Sequence, residues 1–116
     1  MDPRILLIAD HHADTDSLER ILQDNDIFVH CGQVTESDIK QLLLEKRINL
    51  ILLDESCFSM LGFLNSIVKE TGIILLLHHQ DEDTIRTSMN YNVKGFLFKP
   101  RYYDLIPTIH RALKIG

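Results

Sequence analysis

The chain has 116 residues, 45% of them apolar and 25% charged, which leaves room for one domain around one core and excludes a disordered chain. No uninterrupted apolar run exceeds five residues, as at Ile73–Leu77, against the roughly 20 that a bilayer span needs, and the apolar stretch between Asp2 and Asp10 is too short for a secretory signal. The net charge of −5 gives no basic footprint for nucleic acid or an anionic membrane, and Cys31 and Cys57, with no CxxC spacing, read as reduced thiols of a cytoplasmic protein.

In chain order the apolar pattern alternates between two kinds. Arg4–Ala9 is a short apolar run closed by Asp10, and Leu18, Ile21 and Leu22 follow at helical spacing. Ile27–Val29 is a second run, with His30 at its end. Ile39, Leu42 and Leu43 then repeat the helical spacing behind Thr35-Glu36-Ser37-Asp38, which reads as a capping box with Asp in place of Glu. Ile48–Leu53 is a third run, closed by Asp54, and Phe63, Leu64 and Ile67 mark a third helix. Ile73–Leu77 is a fourth run, closed by His78, and Ile85 and Met89 mark a fourth helix. Gly95–Phe98 is a fifth run, closed by Lys99. Leu105, Ile106, Ile109 and Leu113 mark a fifth helix, with Pro107 tolerated in its first turn and His110 on its surface. Runs this short and apolar on both faces suit the buried strands of a parallel sheet, and five βα units imply helices on both of its faces. The fold class expected is α/β, a doubly wound (βα)5 domain spanning 1–116, with no repeat, linker or low-complexity segment inside it.

In an open parallel sheet the carboxyl ends of the strands line one crevice. Asp10, Asp54 and Lys99 each close a different run, so two carboxylates and an ammonium are expected on one rim. Such a set suits Mg²⁺, which takes few protein oxygens and keeps its waters. It also suits a carboxylate nucleophile attacking phosphorus, with the lysine holding the phosphoryl oxygens. His11, His12, His78 and His79 fall on the same rim and, with the carboxylates, are a candidate transition-metal set; solvated loop residues are the plainer reading. Asp10-His11-His12 also spells the motif of a phosphoesterase family, which needs further His and Asp motifs and a much longer chain. Tyr102 and Tyr103 open the last helix and are candidates for core packing or a dimer face.

Ile5–His11, Leu50–Asp54, Met60-Leu61-Gly62 and Lys94–Pro100, in that order and with Asp54 44 positions after Asp10, resemble the receiver domain of two-component response regulators over about Arg4–Leu113. The resemblance implies a flavodoxin-like sheet in the order 2-1-3-4-5 and a phosphorelay role, with Asp54 accepting a phosphoryl group from a sensor histidine kinase. It further implies Mg²⁺ held by Asp10, Asp54 and the backbone carbonyl of Ser56, with Lys99 at the phosphoryl group and a cis Lys99–Pro100 peptide. Phe96 falls at the aromatic switch position. The expected partners are the kinase and a second copy meeting through the fourth helix, fifth strand and fifth helix, with a transcriptional output outside the domain and no direct binding of nucleic acid or membrane. Any enzymatic activity is confined to the domain's own phosphorylation and dephosphorylation. Departures from the pattern make this an atypical member. Ala9 replaces the first acid of the pair, which weakens Mg²⁺ binding. Leu77, 22 residues before Lys99, stands where a Ser or Thr contacts the phosphoryl group, a one-residue shift would put His78 there, also no small hydroxyl, and Phe58 replaces a Pro. The alternative that these departures favour is a pseudo-receiver, a protein-interaction module working without phosphate.

Overall fold

A computed structural model of the chain describes residues 2–10, 16–31, 35–67, 71–78, 81–99 and 102–113. Five strands, β1 (Arg4–Ile8), β2 (Phe28–Cys31), β3 (Leu50–Asp54), β4 (Gly72–Leu77) and β5 (Val93–Phe98), alternate with α1 (Asp16–Asp24), α2 (Glu36–Glu45), α3 (Leu61–Ile67), α4 (Glu82–Ser88) and α5 (Leu105–Leu113). All strand pairs are parallel and the sheet order is β2-β1-β3-β4-β5, the doubly wound arrangement expected.

Side-chain alternation along the strands decides which helices cover which face. Leu6, Ile8, Ile51, Leu53, Ile73, Leu75 and Leu77 form one apolar cluster with Ile39 of α2 and Leu61 and Leu64 of α3, and Ile85 of α4 packs against it. Ile5, Leu7, Leu50, Leu52, Ile74, Leu76 and Leu97 form the other with Leu18 and Leu22 of α1 and Leu105 and Ile109 of α5. The central strands β3 and β4 are buried throughout, which is why they read as continuous apolar runs rather than alternating ones.

Local signals account for several boundaries. The Thr35 hydroxyl accepts from the Asp38 N–H at 3.2 Å and the Asp38 carboxylate accepts from the Thr35 N–H at 3.3 Å, so the shortened acid does complete the capping box. Asp26 (φ 58°) and Arg47 (φ 53°) hold left-handed backbone just beyond α1 and α2, where no glycine is present.

Three expectations change. β2 begins at Phe28 and runs to Cys31, so His30 lies within the strand. β5 begins at Val93, two residues before the apolar run, because the pairing with β4 is irregular between Ile73 and Ile74 and accommodates the polar Lys94. Met89 is not a core residue: α4 ends at Ser88, Met89 is its C-cap, and its side chain is 74% exposed.

Candidate functional site

β3 delivers Asp54 to the carboxyl end of the sheet, and the residue after β5 delivers Lys99. Both are almost fully buried, at 4% and 7% exposure, and the Lys99 ammonium is paired with Asp54 Oδ1. The Lys99 N–H donates to the Leu77 carbonyl at 2.7 Å, which ties the lysine backbone to the end of β4. The second carboxylate oxygen of Asp54 accepts from the Ser56 N–H at 3.0 Å. That bond caps a 3₁₀ segment, Glu55–Met60, kinked at Cys57. Burial alone would raise the Asp54 carboxyl, but the bonds from Lys99 and Ser56 and the lysine charge outweigh it and hold the group below the ordinary carboxylate range. Asp54 is therefore an ionised, oriented carboxylate at neutral pH.

Asp10 follows β1 on the same rim. Its N–H donates to Ser56 Oγ at 3.3 Å, and the Cys57 thiol donates to its Oδ1 at 3.4 Å. Burial pushes the Cys57 thiol up; Ser56 pulls the other way, and the negative charges of Asp10 and Asp54 push it up further. Cys57 is thus a neutral hydrogen-bond donor rather than a soft thiolate. The chain Lys99–Asp54–Ser56–Asp10–Cys57 brings together Asp10, Asp54, Ser56 and Lys99. The oxygen donors brought together are two carboxylates and a serine hydroxyl, hard groups whose chemistry suits Mg²⁺ better than a thiophilic metal.

Of the other expected positions, Leu77, whose carbonyl holds the Lys99 N–H, and Ala9, next to Asp10, adjoin this chain through the backbone, while Phe96 and the two tyrosines are placed elsewhere. Leu77 is buried at 1% in the cluster shared with α2 and α3. Phe96, in register with Leu75, packs on that same cluster and is partly buried. Ala9 is buried at 6%. Tyr102 packs against the cluster shared with α1 and α5, whereas Tyr103 is 74% exposed. Tyr103 and Phe96, with Arg111, line a shallow cavity of about 180 Å³ beside β5 and α5. His11, His12 and His79, and Pro100 with its peptide bond, lie outside the described residues. Among the described residues no three His, Cys, Asp or Glu side chains are placed to hold one metal ion. His78 is instead engaged by Glu55, Nδ1 against the carboxylate. Sequence reasoning passed over Glu55 and the Cys57–Asp10 contact. The signal for the first was a pair of opposite charge type at the ends of neighbouring strands; Cys57 carried none, because the kink that turns it toward Asp10 has no residue signature.

The sequence matches no family model and no curated protein. Solved structures do resemble it. The chemotaxis protein CheY4 of Vibrio cholerae superposes with a TM-score of 0.81 at 19% identity, covering 97% of this chain and 100% of that one. The HemR receiver domain of Leptospira biflexa gives 0.78 at 18% identity, covering 99% and 97%. A CheY-like response regulator receiver domain protein of Methanospirillum hungatei gives 0.77 at 21%, covering 94% and 91%. Over nearly its whole length the chain has the receiver fold.

Proposed function

We propose that the chain is a receiver domain in which Asp54 accepts a phosphoryl group from a sensor histidine kinase and so controls a transcriptional output domain or partner. The observation that carries this reading is the buried Asp54–Lys99 pair at the ends of β3 and β5. An ionised carboxylate oxygen attacks phosphorus while the bond from phosphorus to the donor breaks, and the donor leaves with the electron pair and takes a proton from solvent. An acyl phosphate forms on Asp54. Lys99 holds the carboxylate in place beforehand and neutralises the phosphoryl oxygens as charge gathers on them. Asp10, Asp54 and the Ser56 carbonyl would hold Mg²⁺, which supplies further charge neutralisation at the phosphoryl oxygens. The face of α4, β5 and α5, where Met89, Phe96 and Tyr103 lie, is proposed as the contact for a second copy.

Incubation with acetyl phosphate and Mg²⁺ followed by intact mass tests this. The wild type should gain one phosphoryl group and Asp54→Asn none; equal gain in both overturns the assignment. Buried Ala9 and Leu77 favour a second reading, an interaction module indifferent to phosphate. It is recognised by no mass gain in the wild type and by partner binding that Asp54→Asn leaves unchanged.

A further inference from the structure

Asp10 lies exposed on the rim, yet Ser56 and Cys57, 46 and 47 residues later, hold it at two points. Its N–H donates to Ser56 Oγ at 3.3 Å, and the Cys57 thiol donates to its Oδ1 at 3.4 Å. Ser56 Oγ and Cys57 Sγ lie 3.8 Å apart, within reach of a hydrogen bond to sulfur. The thiol hydrogen is committed to Asp10, so the hydrogen between these two comes from the serine. The three bonds run one way, from Asp10 to Ser56, to Cys57 and back to Asp10. They close a ring in which the hydroxyl and the thiol each donate once and accept once. Bonds so linked polarise one another. Cys57 enters the ring through the kink, where it takes φ −112° and ψ 23° inside the 3₁₀ segment. Its side chain is 8% exposed and belongs to the cluster of Ile8, Leu53 and Leu61. An exposed carboxylate is thus tethered to the core.

Resting on the reading of Asp10 as a Mg²⁺ ligand, we propose that Cys57 is a positioning residue, whose thiol closes the ring with Ser56, holds the Asp10 carboxylate ready for the cation and so sets how tightly Mg²⁺ binds. Ala9 supplies no carboxylate beside it, so at the end of β1 the hold on the cation falls to Asp10. A side chain ordered in advance has less rotational freedom to lose when the cation arrives. A thiol suits the task. It is protonated at neutral pH and brings no charge to compete for the cation, and as a weak donor it leaves most of the negative charge on the carboxylate.

The test combines Mg²⁺ titration calorimetry with infrared spectra of the S–H stretch. Cys57→Ala should weaken Mg²⁺ binding about 2- to 10-fold, the range set by ordering one side chain. Cys57→Ser, which keeps a donor on a shorter bond, should recover part of the loss. Ser56→Ala keeps its backbone carbonyl but opens the same ring, so the double variant with Cys57→Ala should bind little more weakly than either single one. In a Cys31→Ser background the chain has one thiol left, and its S–H band should move to higher frequency when Mg²⁺ is added or Asp10 is replaced by Asn. The band is read on the native Cys57, so it decides the matter even where Cys57→Ala folds poorly. Equal Mg²⁺ affinity in wild type and Cys57→Ala overturns this inference alone, as do losses that multiply in the double variant or a band that Asp10→Asn leaves in place. A wild type that binds no Mg²⁺ overturns the cation site and this inference with it.

Discussion

At the scale of single residues the buried ion pair dominates. Among the described residues no buried side-chain polar atom lacks a hydrogen-bond partner, so Asp54 and Lys99 satisfy each other. Removing one partner strands the other's charge, which typically costs about 3–5 kcal/mol. Lys99→Met should therefore lower stability at neutral pH by about that amount. The pH dependence follows from the sign of the shift. In the wild type the Asp54 carboxyl lies lower folded than unfolded, so its contribution is complete above the unfolded value and is lost as pH falls through the folded one. In Lys99→Met, burial without a counter-charge raises the folded value instead, so the difference from wild type should shrink as pH drops toward about 4. Urea denaturation across that range checks both size and direction. Ala9 offers a second residue-scale test. Ala9→Asp adds a carboxylate to the rim and should tighten Mg²⁺ binding, read by titration of both forms. Because the position is 6% exposed, the variant should also be less stable than wild type without Mg²⁺ and regain stability with it.

At the scale of elements, the helix starts were more legible than the stops. Thr35 and Asp38 announced α2 because capping chemistry is written in side chains. The ends of α1 and α2 carried no glycine; Asp26 and Arg47 take the left-handed conformation regardless, at a cost of roughly 1–2 kcal/mol for an L-residue. Arg47 is exposed and its guanidinium makes no described contact that the turn depends on, so Arg47→Gly should stabilise the domain by up to about 1 kcal/mol, seen as a higher denaturation midpoint at unchanged m-value. Asp54, Lys99 and Asp10 were legible because each ends an apolar run, and the crevice rule places such ends together. The Cys57–Asp10 contact was not, because the kink of a 3₁₀ turn has no period in sequence, and Glu55 was passed over although its pairing with His78 was readable at the neighbouring strand end. Met89 misled for the reverse reason: its spacing from Ile85 is helical, yet the helix stops one residue before it.

At the scale of the whole molecule, the most exposed large apolar side chains among the described residues are Leu44 on α2, Met89 and Tyr103, and the last two lie on the face proposed for a second copy. Met89 and Tyr103, each 74% exposed, belong to the end of α4 and the approach to α5, with the edge strand β5 between them. Phosphorylated wild type should sediment as a dimer and Tyr103→Glu as a monomer, with phosphorylation yield the same in both; dimers of Tyr103→Glu would place the contact elsewhere. The sheet order has a last consequence, in biosynthetic time. Every strand pairing is parallel and spans a crossover, so no hairpin forms a local folding unit. Asp54 and its ammonium are 45 residues apart in sequence. A ribosome releases the acceptor well before the lysine that orients it, and the intervening chain includes β4, the strand that must lie between them. A nascent chain halted anywhere before Lys99 holds the Asp54 carboxylate without its counter-charge, so the function proposed for Asp54 would arrive in one late step rather than grow with the chain.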